Sequence, residues 1–260
     1  MASGALVPLA AGGALLLAAL AHARGGRIGA WLGAAGAAIL AGSLAARGMR
    51  AGHWPLTNEY EFTLAFALAT VLVALALNAK QANPAPTVQA TTMVVATALV
   101  AYARLGIPAF KQAIQPLSPA LDSVWLPLHV GTAALAYGAL LMAGAAGLVW
   151  LLHEPSRPQA ERLLDQAVAM GYSLLTLSML LGMIWAQMAW GRYWGWDLKE
   201  VWTLITWLVY TLYWHLRRRP RWRGRRLAWL ALAGLGAVLF TFLGVGWLAR
   251  AVGLESLHLF

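Results

Sequence analysis

The 260-residue chain has no cysteine, and only 9 acidic residues stand against 19 lysines and arginines. Without cysteine there is no disulfide, no thiol redox chemistry and no protein thiol to attach a cofactor covalently. Charge of either sign is scarce at 11%, apolar residues reach 61%, and mean hydropathy is +0.66. A soluble domain of this length needs far less apolar surface, so the composition defines a polytopic membrane protein. The formal charge of +10 would suggest nucleic acid in a soluble protein. Here the basic residues fall in short loops, where they orient membrane helices, and no basic face of a soluble fold exists to bind nucleic acid. Long polar loops and internal repeats are also missing, so residues 1–260 read as a single transmembrane domain.

What is there is a series of apolar stretches at about 4–22, 28–46, 61–79, 90–107, 125–152, 166–189, 200–216 and 227–248. Each can cross a hydrocarbon layer of roughly 30 Å as a helix, so the expected fold is all-α with about eight transmembrane helices. The second stretch is rich in Gly and Ala, and the fourth includes Gln89, Thr91 and Thr92. Small residues in such helices permit close backbone approach. Ala21-His22-Ala23 has the form of a signal-peptide cleavage site, yet no Lys or Arg precedes the apolar run, so 6–21 reads as a retained helix. Seven arginines between 217 and 226 mark the last connection as cytoplasmic. Counting back by alternation places 12 basic residues inside and 7 outside, with both termini on the non-cytoplasmic side.

The densest chemistry lies in Trp190-Gly191-Arg192-Tyr193-Trp194-Gly195-Trp196-Asp197. Aromatic residues collect at membrane interfaces, which is one reading of this run. The other is that its glycines interrupt the helix, so that four rings and a carboxylate form a wide flat platform for a large planar ligand with polar edges. By alternation the run faces the non-cytoplasmic side. Asp197 and Glu200 also suit a helix start, as N-cap and first-turn acid.

The run resembles the "WWD" signature of the haem-handling membrane proteins of cytochrome c maturation. The residues around it resemble the CcsA (ResC-like) branch: Asp197-Leu198-Lys199-Glu200, Leu204-Ile205-Thr206-Trp207-Leu208, Tyr210 and Tyr213-Trp214-His215. Two further stretches agree, Pro55-Leu56-Thr57-Asn58-Glu59-Tyr60-Glu61-Phe62 and Leu117-Ser118-Pro119-Ala120-Leu121-Asp122-Ser123, the latter leading to His129-Val130. The resemblance extends from about Gly52 to the C-terminus. Leu198 departs from it, since the family usually has Pro there. A CcmC-like haem delivery protein shares the aromatic run but usually lacks the Lys-Glu pair and the Ile-Thr-Trp that follow. A non-haem membrane transporter, with the aromatic run as a mere anchor, is the alternative of a different class.

The resemblance implies a bacterial plasma-membrane component of cytochrome c biogenesis. It would hold haem b non-covalently, move it outward and present it for attachment to apocytochrome c. It further implies that His129 and His258 ligate an external haem lying on Trp190, Tyr193, Trp194, Trp196 and Asp197. His215 would ligate a second haem within the bilayer near the cytoplasm. The family context around His258 is different, because this chain ends two residues after it. Three ligands for two six-coordinate irons leave one missing. In the family a CcsB (ResB-like) subunit supplies it, and synthase activity is expected only together with such a partner. His22 and His153, at inner helix ends, are geometric substitutes without a motif, and His53 reads as a cap or headgroup contact. Lys199 and Arg192 are candidate partners for the haem propionates. Glu59 reads either as an imidazole-orienting group or as a helix N-terminal acid.

Overall fold

The computed structural model of the protein describes residues 3–24, 28–81 and 85–252. Every regular element among them is helical. The long helices are α1 (Ser3–Ala23), α2 (Ile28–Ala51), α3 (Glu59–Ala79) and α4 (Pro86–Ala101), the last continued by a π-helical turn, Tyr102–Gly106. A short α5 (Ala109–Gln112) precedes α6 (Trp125–Leu152), α7 (Arg157–Trp190) and α8 (Leu198–Arg217). Then α9 (Arg225–Leu239) passes through a second π-helical turn, Phe240–Gly244, into α10 (Val245–Val252).

All eight expected apolar stretches coincide with helices. Six helical stretches are long and apolar enough to cross a membrane on length and composition alone: Ile28–Ala51, Glu59–Ala79, Pro86–Gly106, Trp125–Leu152, Glu154–Trp190 and Arg225–Ala249. The other two differ in character. In α1 the stretch whose side chains are described, Val7–Ala23, is apolar. In α8 the ends carry Lys199, Glu200, His215 and Arg217, and the buried face is Thr206, Tyr210 and Tyr213, so the helix is amphipathic. The architecture is that of an all-α polytopic membrane protein.

The central element is α6, which packs along α7 and also touches α3, α4 and α9. It can do so because its buried face is made of Ala134, Ala136, Gly138, Ala139, Ala143, Gly144, Ala146 and Gly147. Apolar side chains gain little from leaving lipid for one another, so helix association depends on close van der Waals packing. At Gly138 a Cβ would lie 2.7 Å from the backbone nitrogen of Thr70 on α3, and at Gly147 it would lie 3.0 Å from the carbonyl of Ala228 on α9. On one flank α1 packs on α2 and α4; on the other α8 packs on α7 and α9.

Before α3 the chain is tied by a buried polar knot. Glu61 is 1% exposed and receives Arg47 Nε at 2.5 Å, while Thr57 donates its backbone N–H and its hydroxyl to the other carboxylate oxygen, both at 2.9 Å. Asn58 caps the helix by accepting from the Glu61 amide at 2.9 Å. Arg47 reaches on to the Ala113 carbonyl at 3.0 Å. A buried ion pair persists only when its remaining donors and acceptors are met, and here Thr57 and Ala113 meet them.

Overpacking a site bounded by backbone cannot be relieved by a rotamer change. Gly138→Leu is therefore expected to lower stability by about 1–3 kcal/mol or more, read as a fall in melting temperature of the detergent-solubilised protein. Gly42, whose Cβ would meet nothing within 4 Å, should accept Ala without loss. Equal melting temperatures for Gly138→Leu and the wild type would overturn the packing account.

Candidate functional site

One end of the bundle, opposite the arginine-rich 217–226 loop, gathers the starts of α3, α6 and α8, the ends of α4 and α7, and the π-helical turn before α10. They enclose a cavity of about 210 Å³. Leu126, Val130, Leu175, Met179, Met183 and Phe242 make its apolar walls, and His129, Tyr193, Trp194, Glu59, Lys111 and Lys199 are its polar and aromatic contributors.

His129 sits in the second turn of α6, half-buried against α7. Its Nδ1 is 2.8 Å from the carbonyl oxygen of Ser178. A carbonyl can only accept, so Nδ1 carries the proton and the lone pair resides on Nε2. Ser178 in turn donates its hydroxyl to the His129 carbonyl at 3.2 Å. The ring lies against Gly182, where a Cβ would approach its Cε1 to 2.7 Å, and nearly parallel to Trp185, at 9° and 6.2 Å between centroids. Ser178, Gly182 and Trp185 follow at helical spacing on α7, so one stripe orients the imidazole. Such fixation of one ring nitrogen by a carbonyl is how proteins present the other nitrogen to a metal.

The aromatic run begins where α7 stops. Gly191 takes the left-handed conformation, φ +73°, and closes the helix by donating to the Gln187 carbonyl at 3.0 Å. Trp196 is also left-handed, φ +58°, which is strained for a residue with a Cβ. The strain is held by Glu200. Its Oε2 accepts the amides on both sides of Trp196, Gly195 N–H at 2.8 Å and Asp197 N–H at 3.2 Å, while Asp197 Oδ1 accepts the Glu200 amide at 2.9 Å. This is a reciprocal capping box on α8.

The rings do not lie in one plane. Trp194 and Trp196 meet edge to face at 82°, and Trp190 meets Trp185 at 77°, the arrangement that aromatic quadrupoles favour. Tyr193 and Trp194 line the cavity. Trp190 packs into a small cluster with Leu126, Val130 and Trp185. Trp196 is 70% exposed beside the cavity rim. The expected flat platform is thus two lining rings, one anchoring ring and one exposed ring. The indole nitrogens of Trp190 and Trp194 are buried without a hydrogen-bond partner among the described residues, and that of Trp194, whose ring lines the cavity, is a donor for a ligand with polar edges.

Of the other histidines, His258 lies outside the described residues. His215 is exposed on α8, at helical spacing from the exposed Leu208 and Leu212. His22 is buried at the end of α1 against Gly29. Since α1 packs on α2 and α4 while α8 packs on α7 and α9, His22 and His215 belong to opposite flanks. The ring of His153 meets the Ser156 hydroxyl at 2.9 Å in the turn between α6 and α7. His53 donates from Nδ1 to the neighbouring Trp54 carbonyl at 3.0 Å. The Glu200 clamp is readable from the Asp-x-x-Glu spacing. Ser178 and Gly182, 49 and more residues from His129, carry no such signal.

A histidine with a fixed tautomer, apolar walls, the buried indole N–H of Trp194 and a lysine-bearing rim suit a large, planar, metal-containing ligand with acidic edges. The class so defined is a polytopic membrane protein with an aromatic-rimmed ligand cavity at one end of its bundle. Residues 56–252 match the family model described as cytochrome C assembly protein, and the chain belongs to that family. It is 34% identical to the cytochrome c biogenesis protein CcsA of Synechococcus sp. (strain JA-3-3Ab), with 78% of this chain and 77% of that protein covered. It is 33% identical to the protein of that name in Synechococcus elongatus (strain ATCC 33912 / PCC 7942 / FACHB-805), over 78% of each. Among solved structures the cytochrome c haem lyase CcmF superposes with a TM-score of 0.65 at 18% identity. That match covers 98% of this chain and 51% of CcmF, so the chain spans about half the length of that protein. The chain is therefore a membrane component of cytochrome c biogenesis.

If Glu200 restrains the left-handed Trp196, Glu200→Ala should release the loop. Loss of a cap costs about 1 kcal/mol, a shift of about fivefold in a local opening equilibrium. Tryptic cleavage after the exposed Arg192, followed by mass spectrometry, should accelerate to that extent while cleavage in the 217–226 loop does not change. Equal rates at Arg192 would refute the clamp.

Proposed function

We propose that the chain binds haem b non-covalently in this cavity, with His129 as one axial ligand, and presents it beside the aromatic run for attachment to apocytochrome c. The observation that carries the reading is the Nδ1–H of His129 held by the Ser178 carbonyl at 2.8 Å, since it puts the ring's lone pair on Nε2, the form in which an imidazole ligates iron. Haem, when bound, supplies vinyl groups that can take up the thiols of the incoming cytochrome. The protein contributes no thiol of its own, having no cysteine, so its role is to hold, orient and shield. Trp194 and Tyr193 offer ring surface along the cavity, and Trp190 anchors the run to α7. Asp197 and Glu200 fix the loop that carries them. His258 is assigned as the second axial ligand of this haem.

The membrane orientation supports the same reading. The arginine-rich 217–226 loop marks the cytoplasmic end, so the cavity opens on the non-cytoplasmic side of a bacterial plasma membrane. With eight spans both termini are on that side too, and residues 1–260 act as a single haem-handling domain. His215 is assigned to a second haem near the cytoplasmic end. Its exposure beside Leu208 and Leu212 favours a site completed by a partner packed on that face of α8. A CcsB (ResB-like) subunit has this role, and haem passes outward from the inner site to the outer one. Synthase activity belongs to the two subunits together.

His129→Ala should abolish cytochrome c assembly and deplete haem in the purified protein, read from the Soret band. Added imidazole should restore part of that band by filling the vacated coordination position. Wild-type haem content in the variant, with normal cytochrome maturation, would defeat the ligand assignment.

Trp194→Ala should lower haem occupancy with every histidine intact. A ring contact is worth about 0.5–1.5 kcal/mol beyond burial, so affinity should fall about two- to tenfold, measured by haem titration. Unchanged affinity would reduce the aromatic run to an interfacial anchor.

A further inference from the structure

The polar corner of the cavity has an arrangement that iron ligation does not explain. Glu59 lies at its centre, in the first turn of α3. It accepts the phenol of Tyr102 on Oε1 at 2.7 Å and the ammonium of Lys111 on Oε2 at 3.1 Å. Lys199, from the first turn of α8, lines the same wall and is within electrostatic reach of Glu59 and Asp197. Three stretches of chain far apart in sequence thus place a carboxylate, the ammonium bonded to it and a second ammonium on one wall of a largely apolar cavity. The other acid of the wall, Glu200, is committed to the amides of Gly195 and Asp197.

An ion pair for stability alone requires one lysine for one glutamate, and exposed or half-exposed pairs contribute little. Lys111 and Glu59 are such a pair, with side chains 29% and 26% exposed. An ammonium has three N–H donors and no acceptor, so a lysine can hold Glu59 and a second carboxylate together. Glu59 then serves to keep the flexible stem of Lys111 turned toward the cavity wall that Lys199 also lines. We propose that Lys111, held by Glu59, and Lys199 on the same wall form a carboxylate clamp that selects planar tetrapyrroles bearing free acid side chains and sets which edge enters toward α5 and α8. The clamp rests on the haem reading above but makes a separate demand: it recognises the acid groups, whereas His129 recognises the metal.

The test compares haem with haem dimethyl ester, which keeps the iron and the ring and removes both negative charges. Binding is followed by Soret titration of the detergent-solubilised protein. The wild type is expected to bind the free acid at least about tenfold more tightly, the effect of one charge-assisted hydrogen bond. Added salt should reduce that preference. Lys111→Met and Lys199→Met should each lower the ratio, and the double variant should bring it close to one, with affinity for the ester unchanged as the sign of an intact fold. Lys111→Arg with Lys199→Arg should retain the preference. A wild-type ratio near one, or a ratio that the methionine variants leave intact, would overturn the clamp while leaving haem binding in place. Failure of both compounds to bind the wild type would instead overturn the haem reading, and the clamp with it.

Discussion

The fit of α6 against α7 is the constraint on which the rest of the protein depends. Along α7, Gly171, Leu175, Ser178, Gly182 and Trp185 recur at helical spacing. The two glycines leave hollows that α6 fills with Leu140 and His129 respectively. A Cβ at either glycine would strike the inserted side chain at 2.5 to 2.7 Å. The same interdigitation that holds the two longest buried helices together therefore also sets the rotation and height of His129. Because the Ser178 carbonyl lies one turn from Gly182, the imidazole is seated and its proton is assigned in a single contact. Packing here determines chemistry: a slip of α6 by one residue would separate His129 from Ser178 and Gly182 together.

Charge is distributed by the same economy. In a chain this apolar each ionised group must be met inside the protein or lie at an interface. Two such groups are met close to the cavity end, by the Arg47–Glu61 pair with its Thr57 and Ala113 contacts. At the far end Arg217 reaches Asp165, which also accepts the Tyr213 phenol at 2.7 Å. These knots join α2 to α3 and α7 to α8, so they fix the flanks to the centre, while α6 itself contributes no charge within Trp125–Leu152. The charged groups of the cavity come from helix ends, Glu59 at the start of α3 and Lys199 and Glu200 at the start of α8, with Lys111 on the short α5.

The fold was legible where local physics suffices. Apolar length marked every long helix, Asp197 announced the start of α8, and the glycines of the aromatic run announced a break after α7. The functional end was legible in part. The aromatic run and His129 stood out in the sequence, but their mutual geometry did not, because ring orientation is set by neighbours that are not adjacent in the chain. A flat platform is the simplest picture of four clustered rings. The structure replaces it with edge-to-face pairs, since Trp190 is drawn into the Leu126–Val130–Trp185 cluster and Trp196 is turned outward by its own backbone. Lys111 was invisible as a site residue for a related reason. It lies on the four-residue α5, and only its bond to Glu59, 52 residues earlier, brings it to the cavity.

The left-handed Trp196 gives that backbone a meaning beyond connection. A tryptophan in this conformation carries a cost of about 1–3 kcal/mol, and a loop free to relax would avoid it. Glu200 prevents relaxation by gripping the amides before and after the residue, and Asp197 returns the grip by capping the helix on which Glu200 resides. The loop cannot be released without also uncapping α8, and α8 cannot fray without losing the loop. Strain is thus tied to a membrane helix whose other end is fixed by Arg217 to Asp165. The arrangement therefore fixes the exposed indole of Trp196 beside Trp194 and the cavity.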